Sequence, residues 1–357
     1  MSGAPGIGII GVGARTPLGF GAPATAAAVR AGISMIEEHP FMIDRFGQPM
    51  MVSMDAGADP GLSGTGRMLA LALDPALEAL APVLEGARDL PPVMLMIAAP
   101  EVRPGWPEPR DRDVARALAA RLAKTIPLGT LRHAAVGNAG GIAAFDHAVA
   151  ALRDGDCELC LVGGIESYLE PETLEWLDEN EQLHSEGNIY GFCPGEGAGF
   201  CLLATARTAA RLGLPVLLEV VSAASARESK PIKTRTVCIG EGLSTAFRET
   251  FARAPADLPP VDHTICDMNG ERYRGNEFGF SMLRSAGGFR EDADFQTPAD
   301  CWGDLGAASG PLFAVLAAAA AAKGYAAGPL TMIWGSSEAG LRAAALLRDP
   351  AARGEAV

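Results

Sequence analysis

Positive charge is scarce in this 357-residue chain: Lys and Arg number 29 against 43 Asp and Glu, a net charge of −14. A phosphate backbone rewards positive charge, and no basic stripe offsets the deficit, so nucleic acid and anionic membrane are excluded as expected partners. Long hydrophobic runs are also missing. The longest, from Pro311 to Ala322, is Ala-rich and shorter than the ~20 residues that a bilayer-spanning helix needs. The opening Met1-Ser2-Gly3-Ala4-Pro5 has no charged region ahead of a hydrophobic core, so it does not read as a secretory leader and a cytoplasmic protein is expected.

Paired metal-binding cysteines are lacking too. The seven Cys are odd in number and scattered, and Cys157 with Cys160 forms a C-x-x-C that no second ligand pair follows. A zinc site needs that second pair, so buried, reduced thiols are expected, with no metal and no cofactor. Only five His are present, at positions 39, 133, 147, 184 and 263, and surface or structural roles are expected for them.

What remains is a globular composition. Hydrophobic residues make up 48% and charged residues 20%, which excludes disorder and supplies a large core without disulfides. Apolar runs of strand length occur at 7–12, 93–98, 131–136, 159–162, 200–203, 216–221, 264–268, 330–334 and 341–347. Between them lie helical patterns, such as Val114, Leu118 and Leu122, or Ile142, Phe145, Val149 and Leu152. Further helices are expected at 23–31, 240–252 and 276–285, and residues 204–213 read as a connector. Alternating strands and helices imply an α/β protein with mostly parallel buried strands. The two halves echo each other: Asn138-Ala139-Gly140-Gly141-Ile142 opens a helix in the first, Ala307-Ala308-Ser309-Gly310-Pro311 in the second. This suggests a duplicated unit.

Gly6-Ile7-Gly8-Ile9-Ile10-Gly11 matches G-x-G-x-x-G, but a dinucleotide site needs a strand before that motif and a helix after it. Here the motif lies within the predicted first strand, so it reads as glycine-rich packing.

Other motifs carry a resemblance. Gly8 to Gly19 resembles the opening of β-ketoacyl-acyl-carrier-protein synthases of the thiolase superfamily. The helix from Ile142 and the strand ending Gly163-Gly164-Ile165-Glu166 resemble the segment after that family's nucleophile. Gly195-Glu196-Gly197-Ala198-Gly199 resembles its G-E-G-A-G turn, and Gly306-Ala307-Ala308-Ser309-Gly310 its last helix start. The resemblance implies a thiolase-like five-layered αβαβα fold of two duplicated halves, residues 1–204 and 214–357, forming one compact unit. It also implies a homodimer, or a heterodimer with an active synthase, and dealings with an acyl thioester or carrier protein.

The family's condensing chemistry uses a Cys at a helix N-terminus with two His. Matched residue by residue, the Cys position is Asn138 and the first His position is Asn269. The second falls on Gly303, or on Asp304 with a one-residue deletion. An Asn carboxamide is not a nucleophile, so no intact catalytic residue is expected. The resemblance leaves Cys193, Gly195 and Trp334 as candidate substrate contacts. Glu271, Arg272, Arg274 and Glu277 read as a solvated loop. The expectation is a catalytically degenerate synthase-like protein that binds, as a non-catalytic subunit, a dimeric scaffold or an accessory factor of the kind found near secretion effectors. The alternative is an acyl-thioester enzyme that decarboxylates or hydrolyses without a Cys nucleophile.

Overall fold

The computed structural model describes residues 6–351 apart from 87, 88, 233 and 235; the opening Met1–Pro5 lies outside them. The first half comprises β1 (Ile7–Thr16), β2 (Gly19–Phe20), α1 (Ala22–Arg30), β3 (Glu37–Ile43), β4 (Pro49–Val52), α2 (Gly64–Gly86), β5 (Val93–Ala99), α3 (Arg110–Leu122), β6 (Leu128–Ala135), α4 (Gly140–Asp154), β7 (Leu159–Ser167), α5 (Pro171–Glu179) and β8 (Glu196–Thr205). The second comprises α6 (Ala206–Leu212), β9 (Leu218–Arg227), α7 (Glu241–Arg253), β10 (Val261–Cys266), α8 (Arg272–Ser285), β11 (Phe289–Gln296), α9 (Ala299–Trp302), α10 (Ser309–Lys323), β12 (Leu330–Ser336) and β13 (Leu341–Arg348).

The duplication is visible in the strand order. The first half runs β6-β5-β7-β8-β1 and the second β11-β10-β12-β13-β9. In each, the first two pairings are parallel and the last two antiparallel. Ile7 opposite Val220 and Ile9 opposite Leu218 join the halves through β1 and β9. The expectation of mostly parallel strands is therefore corrected. The short link from β12 to β13 permits only an antiparallel return, and β8 runs back between β7 and β1.

Alternation of side chains along the strands sets the layers. Met94 and Met96 of β5, Cys160 and Val162 of β7, and Cys201 and Leu203 of β8 face a central core with Ile265, Ile333 and Ala345 from the second half. Helices α4 and α10 lie in that core, with α1 beside them. The alternate residues Leu95, Leu161 and Phe200 face outward to α2 and α3. Met332, Trp334 and Leu346 face outward on the other side, to α7 and α8. The result is five layers, helix–sheet–helix–sheet–helix.

Several elements departed from expectation. The connector 204–213 contains α6, and α8 begins four residues earlier than its pattern suggested, bringing Arg274 into the helix. Helix α2 carries Pro75 and Pro82 in its interior, where proline ordinarily argues against a helix. It packs over the glycine-rich β1: a Cβ on Gly11 or Gly13 would meet the carbonyls of Ala79 and Pro75. That close approach accounts for Gly11 of the G-x-G-x-x-G stretch, whereas a Cβ on Gly8 would meet the Val216 side chain. The apolar run judged too short for a bilayer belongs to a stretch, Gly306–Lys323, that is long and apolar enough to cross one. It lies largely buried between the two sheets, which accounts for its composition.

Gly164 marks the tightest seam between β7 and the approach to α10, since a Cβ there would strike the Ala307 carbonyl. Backbone opposes backbone, so no side chain can yield. Gly164→Ala is expected to cost about 1–3 kcal/mol, the range for overpacking. Urea unfolding checks it: the midpoint should fall with an unchanged slope.

Candidate functional site

Three loops meet where β6 runs into α4, where β10 ends, and between α9 and α10. Asn138 lies in the first, Asn269 in the second and Asp304 in the third. Asp304 Oδ1 accepts from Asn138 Nδ2 at 3.0 Å and from the Gly306 N–H at 2.7 Å. Its Oδ2 accepts from Asn269 Nδ2 at 2.6 Å. The backbone fixes the carboxylate as well: Asp304 N donates to the Cys193 carbonyl, and Gly195 N donates to the Asp304 carbonyl. Asn138 and Asp304 are buried and Asn269 is half-buried. The side chain at this meeting point is that of Asp304; Gly303 offers only backbone, and its N–H caps α9.

Behind Asp304 lies an ion network that the sequence placed in solvent. Arg274 donates through Nη1 to Asp267 at 2.7 Å and to the Ser336 carbonyl at 2.7 Å, and through Nε to Glu271 at 3.1 Å. Its Nη2 stands 3.9 Å from Asp304. Glu277 accepts from Arg342 Nε at 2.6 Å and from Ser336 Oγ at 2.9 Å. All of these carboxylates and both guanidiniums are buried. Burial pushes the Asp267 carboxyl up to about 6 and raises Glu271 as well, against the lowering effect of Arg274. Asp267 Oδ1 has no hydrogen-bond partner. Burial opposes the Arg274 charge, but Tyr273, Asp267, Glu271 and Asp304 together hold its pKa well above the usual value. On the other flank, Glu166 accepts from Arg103 at 2.6 Å and from the Ala307 N–H at 3.1 Å. Sequence reading missed Arg103, Glu166, Arg274 and Ser337, whose Oγ accepts the Ala139 N–H at 2.9 Å. A signal existed for Arg274: it and Glu277 are spaced for one helix face once α8 is started early.

The space over Asn138 is nearly filled. A cavity of about 40 Å³ remains, bounded by Glu101, Arg103, Tyr168, Trp176 and Glu338 among others. That is close to one water's share of liquid volume, ~30 Å³. A larger cavity of about 450 Å³ adjoins Glu271 and Tyr273, with Tyr190 and Ile232 among its walls beside polar residues such as Gln182 and Asn276.

The three candidate substrate contacts lie apart from that space. Trp334 is wholly buried in the outer core, stacked on Phe278 with ring centroids 5.1 Å apart. The alternation of β12 turns its side chain away from the central layer, which corrects its assignment. Gly195 is walled in: a Cβ there would lie 2.6 Å from the Trp302 carbonyl, and its N–H and carbonyl are taken by the Asp304 carbonyl and the Tyr168 N–H. Cys193 offers its carbonyl to Asp304, and burial pushes its thiol up to about 11, which disfavours a nucleophilic thiolate. Neither Cys193 nor Gly195 lines the cavity over Asn138. His133, on the edge strand β6, pairs with Asp111 at 2.8 Å, and His263, on β10, pairs with Asp294 of the edge strand β11.

One group among the described residues, Glu228, Cys238 and Glu277, brings three ligand-type atoms within 4.8 Å of one another. Glu277 is held by Arg342 and Ser336, and Glu228 accepts from the Gly242 and Lys230 N–H groups. Its carboxylates are thus already engaged.

Residues 112–209 match the family of the β-ketoacyl synthase N-terminal domain. The chain is 26% identical over 149 residues to the non-reducing polyketide synthase Preu3 of Preussia isomera, a match covering 40% of this chain and 6% of that protein. Among solved structures it is similar to the ishigamide ketosynthase/chain length factor, with a TM-score of 0.81 at 16% identity over 97% of this chain and 99% of that one. It is also similar to AntDE:AntF, a type II polyketide synthase acyl-carrier protein in complex with its ketosynthase, with a TM-score of 0.77 at 16% identity over the same shares of the two chains. The fold is thus the thiolase-like fold of ketosynthases, and the chain is ketosynthase-like.

Proposed function

We propose that this ketosynthase-like chain acts by binding and does not condense acyl thioesters. The observation that carries the proposal is the Asp304 carboxylate closed onto Asn138 and Asn269. Condensation through an acyl-enzyme needs an atom that can hold and release an acyl group. Asn138 supplies a carboxamide whose N–H is already donated to Asp304, and the 40 Å³ beside it holds a water rather than a thioester.

The binding role proposed is that of a non-catalytic subunit, a dimeric scaffold or a secretion-associated accessory factor, in the cytoplasm. Strand β6 supports it, since it forms an outer sheet edge with most of its residues in solvent. Unpaired edges invite pairing with another chain. A second copy of this chain, or an active synthase, is the partner proposed there, in the manner of the ketosynthase/chain length factor relative. An acyl carrier protein is a further candidate, by the carrier-protein complex among the relatives. Light scattering at micromolar concentration is expected to give the mass of a dimer; a strict monomer contradicts the homodimer.

The alternative is thioester decarboxylation or hydrolysis without a Cys nucleophile, with Asp304 as base. Asp304 is buried and its carboxylate is engaged by Asn138, Asn269 and the Gly306 N–H, which weighs against it. The test is incubation with acyl and malonyl thioesters while released thiol and carbon dioxide are followed. Neither is expected above the buffer rate. Release that disappears in Asp304→Asn would instead support the enzyme.

A further inference from the structure

The β3–β4 hairpin exposes apolar side chains that the fold does not use. Met42 turns inward and packs with Met50, Val52, Leu177 and Leu183. By the two-residue alternation of a strand, its neighbours Phe41 and Ile43 turn outward, and they are 87% and 64% exposed. Phe46 at the hairpin turn is 54% exposed and leans on Gly187, where a Cβ would lie 2.7 Å from its ring. Ile189, two residues further on, is 64% exposed. The apolar surface therefore runs from the hairpin onto the 185–190 loop. An exposed contiguous apolar patch is a common mark of an interaction site.

Acidic side chains outnumber cations around this patch. Glu37 and Glu38 lie on β3 itself, Glu179 ends α5 and Glu181 follows it, and Glu186 sits in the loop beside Phe46; all are exposed. Nearby cations are engaged: the Arg45 guanidinium pairs with Glu181 at 3.2 Å and lies over the Phe46 ring, and that of Arg272 lies over the ring of Tyr190, beside Ile189. His39 adds no charge at neutral pH. Burial lowers its pKa, and its Nδ1 accepts the Met42 and Phe41 N–H groups.

We propose that this face, built on Phe41, Ile43, Phe46 and Ile189, docks a segment of a partner protein whose apolar side chains are flanked by Lys or Arg. The proposal rests on the binding role above and names the chemistry of the partner. Charge complementarity selects that occupant. A second copy of the chain would bring like charges face to face, and an anionic membrane would be repelled.

The experiment uses the full chain and two labelled helical peptides of about 18 residues, five turns. Both carry the same Leu face; one has Lys on the polar face and the other Glu. Fluorescence anisotropy is expected to show the Lys peptide binding at least about tenfold tighter than the Glu peptide and weakening with salt. The double substitution Phe41→Ser with Ile43→Ser should weaken it by about tenfold or more, the scale of losing apolar anchors. Its thermal unfolding should not change, because both side chains are in solvent. Phe295→Ser, at the exposed β11 edge, serves as a control and should leave binding unchanged. Failure of the Lys peptide to bind, equal binding of both peptides, or undiminished binding by the double variant overturns the proposal. So does self-association, or binding to phosphatidylcholine vesicles, that the double variant abolishes. None of these outcomes touches the absence of acyl-enzyme chemistry, so the patch and the binding role fail separately.

Discussion

Arg274→Met is expected to destabilise the fold by about 3–5 kcal/mol near pH 7.5, the cost of removing one partner from a buried charge cluster. Asp267, Glu271 and Asp304 would then face one another without the guanidinium that Arg274 places among them. The loss should shrink on acidification, because protonated carboxyls no longer repel. The wild type carries the same signature in weaker form. Asp267 has its pKa raised from 3.8 to about 6 by burial. Its contribution to stability is therefore complete below the unfolded value and is lost as pH rises through about 6. Stability from this group should rise as pH falls from about 7 to about 5, and Asp267→Asn should flatten that part of the profile. Urea unfolding at several pH values measures both effects. An Arg274→Met protein as stable as the wild type, or equally unstable at every pH, contradicts the network.

Asn138→Cys is expected to restore no synthase. The introduced thiol would stand where a carboxamide now donates to Asp304 at 3.0 Å. A carboxylate at that distance disfavours the thiolate, so alkylation by iodoacetamide should be slower than that of an exposed cysteine by about tenfold or more. Adding Asp304→Asn should speed it. Condensation should still be missing, because the positions that resemble the family's His pair hold Asn269 and Asp304. In well-studied triads the parts other than the nucleophile supply only about 10³–10⁴-fold over water. Condensation by Asn138→Cys alone would contradict this account.

Much of the fold was legible because burial leaves a periodic trace. The apolar face of α4 and the apolar run of β7 follow directly from the residues, and the resemblance carried by the ordered motifs implied the five-layer architecture. Helix α2 was hidden by Pro75 and Pro82, whose usual meaning is a break. The hairpin of β3 and β4 was hidden because Phe41 and Ile43 face solvent while Met42 turns inward, so its apolar residues lack a clean pattern. At the site, the choice between Gly303 and Asp304 was open in sequence, and the pairing of the Asp304 N–H with the Cys193 carbonyl, a contact between distant segments, decides which side chain points inward. The buried ion network was misjudged for a related reason. A charged residue reads as solvated unless its partners are known, and those of Arg274 include the Ser336 carbonyl, 62 residues away in sequence. Trp334 was assigned to the wrong face because the alternation of β12 was not followed to its consequence.

The central claim is that no acyl group is ever held on this protein. Intact-protein mass spectrometry after incubation with an acyl thioester and a malonyl thioester tests it most directly. The account predicts the unmodified mass for the wild type and for Asn138→Cys, with no β-ketoacyl product. A stable acyl adduct on the wild-type chain, above all one mapping to Cys193, would contradict it and return the protein to the condensing enzymes.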